Sequence, residues 1–423
     1  MLLKYISSFI FSTFLDGPVY SGSINQIRTQ APLFTPSNTT IIPNHYIVVF
    51  KKNVKPDGER FYNHFKRVNS KIKQLSLEKD SNKVGHVYRE GLVGYSGVFD
   101  QEIIDSIRYS NDVDYVENDQ MASIQDTQSG AAWGLARISH REKLDSSTND
   151  KYIYNPIAGN GVTVYILDTG IYTQHNDFGG RAVWGTSFVS GEENTDLNGH
   201  GTHVAGTVGS NTYGVAKRCK LVAVKIFGKS GKGPVSNVIA GIGYVSNQYK
   251  SNTAEAVIKG MAPPKFVANL SLSTSFSQAL NSAVSALVSQ GIPLVTSAGN
   301  SNANACANSP SSENSAITVG SIDVTDAQSY FSNYGKCVNL YAPGRSIKST
   351  WIGSSYATNT LSGTSMASPH VAGVAATIMS MYINEFTPNQ IKQMLLATAT
   401  KNKLSNLGPE SPNILVYNSP PGN

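Results

Sequence analysis

With 423 residues the chain exceeds one average domain, so two or three folding units are expected, with material for a large core. Charged residues make up only 15% of it against 37 glycines, a balance that suits a compact α/β fold with many tight turns. The formal net charge of +6 is modest, and no basic block extends beyond Lys51-Lys52 and Lys71 to Lys73, which excludes a nucleic-acid partner as a working reading.

Taken in chain order, residues 1–23 carry Lys4, an apolar stretch over 5–15 and then Ser21-Gly22-Ser23. This pattern predicts a secretory signal peptide; the apolar part is too short to span a bilayer, and a buried N-terminal strand or helix is the competing reading. Residues 26–44 are polar and proline-bearing, with a glycosylation sequon at Asn38-Thr39-Thr40, and read as a linker. Next come a strand at 45–50, a polar helix at 58–77, strands at 84–88 and 92–99, a helix at 101–109 and a strand at 113–117. That βαββαβ order predicts a small ferredoxin-like α+β sandwich.

From 133 to 418 apolar runs at 162–167, 221–227, 266–272, 292–297, 317–320 and 338–342 alternate with helical patterns at 202–208, 235–248, 276–289, 365–381 and 389–398. Such alternation predicts an α/β doubly wound parallel sheet covered on both faces. A second sequon, Asn269-Leu270-Ser271, falls in a predicted buried strand and is expected to stay unglycosylated.

Four short stretches carry the chemistry. Ser365, in Gly363-Thr364-Ser365-Met366-Ala367, opens a predicted helix where unpaired N–H groups would stabilise an oxyanion, although such a tripeptide by itself is most often an N-cap. His200 stands between Gly199 and Gly201, which leave its imidazole uncovered. Asp168 ends an almost wholly apolar strand, at the edge where α/β sheets hold ligands. Asn300 follows the run Leu294 to Gly299, where its amide is able to donate to an oxyanion.

Asp168, His200 and Ser365 follow one another in the order of the subtilisins. The motifs Asp168-Thr169-Gly170, His200-Gly201-Thr202-His203, Ser297-Ala298-Gly299-Asn300 and Gly363 to Ala367 resemble those of the subtilisin-like serine proteases at the same relative positions. Tyr213-Gly214-Val215-Ala216-Lys217, Phe331-Ser332-Asn333-Tyr334-Gly335 and Ser349-Thr350-Trp351-Ile352-Gly353 are similar to the proteinase K branch. Within it, Trp133 to Arg141 and Pro412 to Asn418 look most like the cerevisin-type enzymes of fungal vacuoles.

The resemblance implies a serine endopeptidase with Asp168, His200 and Ser365 as triad, Asn300 in the oxyanion hole, and Ser271, Leu272, Ser273 and Gly299 against substrate. It implies a signal peptide over 1–23, a propeptide over 24–123 with an inhibitor I9-like domain at about 45–120, and a catalytic domain over 124–423. The expected partners are protein and peptide substrates and the enzyme's own propeptide, which self-cleavage within Met121–Gln125 would release. A monomer without a membrane span is expected, secreted or in the lumen of a vacuole or lysosome-like compartment.

Against the family pattern, Ser273-Thr274 stand where glycines are usual, Ser297 where alanine is, and the loop Lys232-Gly233-Pro234-Val235 lacks an aromatic or long apolar residue; the cleavage preference is thereby open, with broad digestion favoured over selective processing and over a catalytically inactive binding protein of the same fold. Val204 replaces a cysteine found near the histidine in many proteinase K-like enzymes. Asn339 replaces a calcium-ligating aspartate, so that site is not carried over: no cofactor and no metal is expected, with calcium as the alternative. Of three cysteines, the resemblance pairs Cys306 with Cys337 and leaves Cys219 free; three buried thiols is the alternative. His203 lies one helical turn from His200 but lacks the Glu of His-Glu-x-x-His, and His203 and His370 are expected to be structural. His45, His64 and His86 fall in the expected prosegment as ordinary surface or sheet residues, the alternative being that one of them loosens the inhibitor in acid.

Overall fold

The computed structural model describes residues 30–35, 41–75, 82–120, 126–382 and 386–420; the leader, the Asn38 sequon and the 121–125 cleavage segment lie outside them. Two compact units divide the chain, one running to Asp119 apart from residues 37–40 and the other beginning at Gln120.

In the first unit, the strands Val113–Gln120, Ile41–Phe50, Gly94–Val98 and Lys83–Tyr88 lie side by side in that order. With helices Glu59–Leu75 and Gln101–Arg108, this is the ferredoxin-like arrangement the element order predicts. The shorter helix starts where Asp100 accepts from the Ile103 N–H at 3.2 Å, and it buries Ile103, Ile104 and Ile107 against Val48, Phe50 and Tyr95. The linker expectation fails in part. Leu33–Phe34 adds a fifth, parallel edge strand beside Val116 and Glu117, because Ala31 is buried and its N–H and C=O both bond to Arg108 at 2.8 Å.

The second unit is built on a parallel sheet. Its main elements are β1 (Val162–Asp168), β2 (Ala182–Ser187), α1 (His200–Gly209), β3 (Lys220–Lys225), α2 (Val235–Ile258), β4 (Lys265–Leu270), α3 (Gln278–Ser289), β5 (Leu294–Ser297), β6 (Ile317–Ile322), β7 (Leu340–Pro343), α4 (Thr364–Met381) and α5 (Pro388–Thr398). From one edge the strands run β7-β6-β5-β4-β1-β3-β2, all neighbours parallel, with the short Ile414–Leu415 and Thr400–Lys401 beyond β7. Alternate side chains of β1 feed opposite faces. Val164 and Ile166 pack with α1 and α4, while Tyr165 and Leu167 pack with α2 and α3.

Several element ends differ from expectation: β3 and β4 stop two residues early, and α2 runs ten residues past the predicted 248. β2 was not expected; it is an edge strand, partly exposed over most of its length, without a continuous apolar run. Asn269 is fully buried, its Nδ2 donating to Ser271 Oγ at 2.9 Å, so the folded chain offers no amide to a glycan. Cys306 and Cys337 form a disulfide, and Cys219 is a buried free thiol whose pKa burial pushes up to about 12. Among the described residues no helix is long and apolar enough to cross a membrane.

Candidate active site

β1 lies between β3 and β4 and delivers Asp168 to the C-terminal edge of the sheet. α1 begins there with His200, after Gly199 turns the chain at φ 104°. The His200 Nδ1 atom is 2.8 Å from Asp168 Oδ1 and 3.0 Å from Oδ2. So close an approach needs Gly201, where a Cβ would fall 2.1 Å from the Gly170 carbonyl oxygen.

A second carboxylate rivets strand to helix. Buried Asp196 accepts five hydrogen bonds of 2.7–3.0 Å, from the Thr169 hydroxyl, the N–H groups of Asn198, Gly199 and Thr202, and the Thr202 hydroxyl. Thr169 Oγ1 in turn accepts from the Gly201 N–H at 2.9 Å. Because Gly199 is the N-cap of α1 and Thr202 lies in its first turn, the charge also sits favourably on the helix dipole. Below the pair, fully buried Lys225 donates to the Thr169 carbonyl at 2.8 Å and meets Glu192 at 3.0 Å.

α4 brings Ser365 to the same edge. Pro369 lies four residues further on, so it has no N–H to offer the Ser365 carbonyl and its ring crowds that oxygen. Ser271, the first residue after β4, supplies the missing bond: its Oγ donates to the Ser365 carbonyl at 3.0 Å and lies 2.8 Å from Ser368 Oγ. Ser365 Oγ returns a bond to the Ser271 carbonyl at 3.2 Å. The two serines thus hold each other across the sheet edge, and the Ser365 hydroxyl rests on Ser271 rather than on His200.

Asn300 is fixed by its oxygen. Oδ1 accepts from the Thr364 N–H and hydroxyl, both at 2.8 Å, which determines the face on which Nδ2 is offered. The turn leading to it is held by Asn333, buried, whose Oδ1 accepts from Ser301 and Ala303 N–H at 3.0 Å and whose Nδ2 donates to Ala298 O at 2.9 Å. Gly299, at φ 103°, admits that amide; a Cβ there would lie 2.4 Å from Asn333 Nδ2. Leu272 O accepts from Ser297 Oγ at 2.9 Å, joining the segment after β4 to the wall after β5, while Ser273 is exposed.

Electrostatics separates the histidines. Burial pulls the His200 imidazole down, but the Asp168 charge and hydrogen bond, with the Asp196 charge, outweigh it and hold the pKa above 6.5. Its side chain is 29% exposed, so it remains open to a reacting group. His203 and His370 are buried against the Ile347 and Met366 carbonyls at 2.9 Å, and burial lowers both to about 4. They are neutral core residues. Asn339 Oδ1 accepts from the Thr318 N–H at 2.9 Å, in the pairing beside β6.

The structure therefore brings Asp168, His200, Asn300, Ser365, Ser271, Leu272, Ser273 and Gly299 to one edge of the sheet. Sequence reasoning missed Asp196 and Asn333, and it missed the reciprocal Ser271–Ser365 contact; the signal for that contact was Pro369 four residues beyond the serine.

A parallel α/β sheet carrying a carboxylate–imidazole pair and a helix-opening serine at one edge has the constellation of a serine hydrolase. Residues 159–413 match the Subtilase family model, and residues 45–125 match Peptidase inhibitor I9. A subtilisin-like protease of Coccidioides posadasii (strain C735) is 42% identical over 416 residues, 92% of this chain and 84% of that protein. Alkaline protease 2 of Aspergillus fumigatus is 40% identical, covering 95% and 86%. The crystal structure of a cold adapted subtilisin-like serine proteinase superposes with a TM-score of 0.61 at 43% identity, over 69% of this chain and 99% of that one. The chain belongs to the subtilase family: it is a subtilisin-like serine endopeptidase preceded by an inhibitor I9 prosegment, and hence a zymogen.

Proposed function

We propose that Ser365 is the nucleophile of this endopeptidase, His200 its general base and Asp168 the group that orients the base. The observation that carries the reading is the two-oxygen Asp168–His200 contact at 2.8 and 3.0 Å, placed on the sheet edge where α4 presents Ser365. On binding substrate, Ser365 Oγ exchanges its bond to Ser271 for one to His200 Nε2. The hydroxyl attacks the peptide carbonyl, His200 takes its proton and passes it to the leaving amine, and Asp168 stabilises the imidazolium. Water then enters by the same route and releases the acyl group. Asn300 Nδ2 and the Ser365 N–H receive the oxyanion; the cost known for losing the side-chain donor in subtilisin itself is about 3 kcal/mol.

On the same reading the enzyme cuts itself within Met121–Gln125, works as a monomer of broad specificity in the manner of the cerevisin-type enzymes, and is secreted or delivered to a vacuole-like lumen. Intact-mass analysis of the full-length protein beside Ser365→Ala tests it. Wild type should lose its first ~120 residues while the variant stays whole. Processing of the variant at the same rate would refute the assignment of Ser365.

A further inference from the structure

β3 and β4 flank β1 and run parallel to it, so the segments leaving them, 226–234 and 271–277, rise on either side of Asp168. They stand as two walls on either side of the Asp168–His200 pair at the sheet edge. The second wall is tied to Ser365 through Ser271. The first is tied to His200 through Asn198, whose Nδ2 donates to the Lys229 carbonyl at 3.0 Å and whose Oδ1 accepts from the His200 N–H at 3.2 Å. Residues 229–234 are all exposed, folded into a turn by the Gly231 N–H bond to the Gly228 carbonyl at 2.9 Å.

This wall carries two lysines, Lys229 and Lys232. Among the described residues neither ammonium has a hydrogen bond or an ion pair. The neighbouring Glu192 is engaged instead by Lys225 Nζ at 3.0 Å and by the Lys229 backbone N–H at 3.0 Å. A peptide lying across this edge thus passes the exposed Lys232 charge, beside Lys229, whose own charge is partly balanced by Glu192.

We propose that Lys232, assisted by Lys229, is a specificity-determining residue that favours peptides with an Asp or Glu within the four positions before the scissile bond. The proposal rests on the protease reading above and narrows it: cleavage is broad as to the residue at the cut but biased towards acidic stretches upstream. In the chain's own precursor Asp119 falls within four positions of a cut after Met121 or Ala122.

The test uses the processed enzyme and matched fluorogenic peptides carrying Asp, Asn or Lys at each of those four positions in turn. At low salt kcat/KM for the best Asp peptide should exceed that for its Asn twin by about two- to five-fold, the range of an exposed ion pair. The ratio should fall to about one in 1 M salt and in the Lys229→Ala/Lys232→Ala variant, and Lys232→Glu should favour the Lys peptide instead. Equal Asp and Asn rates in wild type, or a preference surviving in the double variant, overturns the proposal. Turnover of the Asn peptide reports separately on the triad: if wild type cleaves no peptide, the protease reading falls first.

Discussion

Removing the Ser271 hydroxyl tests how Ser365 is held. Ser271→Ala deletes three contacts: the donation to the Ser365 carbonyl at 3.0 Å, the 2.8 Å contact with Ser368 Oγ, and the acceptor for Asn269 Nδ2 at 2.9 Å. At about 1 kcal/mol for each neutral buried bond, the loss is about 3 kcal/mol. One part of it should depend on Pro369, since the Ser365 carbonyl needs Ser271 only because position 369 has no N–H. Pro369→Ala restores a helical donor, so the Ser271→Ala penalty should shrink by about 1 kcal/mol in that background. The assay is thermal unfolding of the four members of the cycle, all carrying Ser365→Ala to prevent self-digestion; the coupling corresponds to roughly 2–4 °C. A Ser271→Ala penalty that is the same with Pro369 and with Ala would refute the reasoning.

Three further outcomes follow from buried charges. Arg137 and Asp326 form an ion pair at 2.7 Å, both nearly inaccessible, so Arg137→Met should cost about 3–5 kcal/mol in thermal unfolding, and adding Asp326→Asn should recover part of it. Activity should fall in acid as His200 takes a proton, with its midpoint above pH 6.5; Asp196→Asn removes a charge that raises that pKa, so the acid limb of kcat/KM should move to lower pH while stability drops by about 2–4 kcal/mol. In the prosegment, His64 is buried between Tyr95 OH at 2.9 Å and Ser110 Oγ at 3.1 Å, and burial, with the Arg67 charge outweighing Asp112, lowers it to about 4. The unfolded chain therefore binds the extra proton, and stability present above pH 6.5 is lost as pH falls towards 4, by about 2 kcal/mol at pH 5. Hydrogen-exchange protection factors of helix Glu59–Leu75 in the Ser365→Ala precursor, which divide out the intrinsic fall of amide exchange with pH, should drop between pH 7 and 5, and that drop should vanish in His64→Leu; equal protection at the two pH values would sink it.

The sequence made legible those residues whose local context is itself unusual. Asp168 ends an unbroken apolar strand, His200 stands between two glycines, and Ser365 opens a run of small residues; each signal lies within a few neighbours. Asp196 has no such signature. It looks like one acid in the polar stretch Glu192-Glu193-Asn194-Thr195-Asp196; Asn198 and Gly199 donate to it locally, but Thr169 and Thr202 of α1 reach it only after β1 and the helix have packed. Asn333 is hidden for the same reason: its three bonds go to the 298–303 turn, thirty residues back in the chain. The edge elements escaped differently. β2 and Leu33–Phe34 are strands because a neighbour offers a free ladder of N–H and C=O groups, not because their own side chains alternate strongly. What positions the reacting groups is thus mostly polar, buried and long-range, and it becomes visible only when the parallel order of β3, β1 and β4 places three loop segments over one sheet edge.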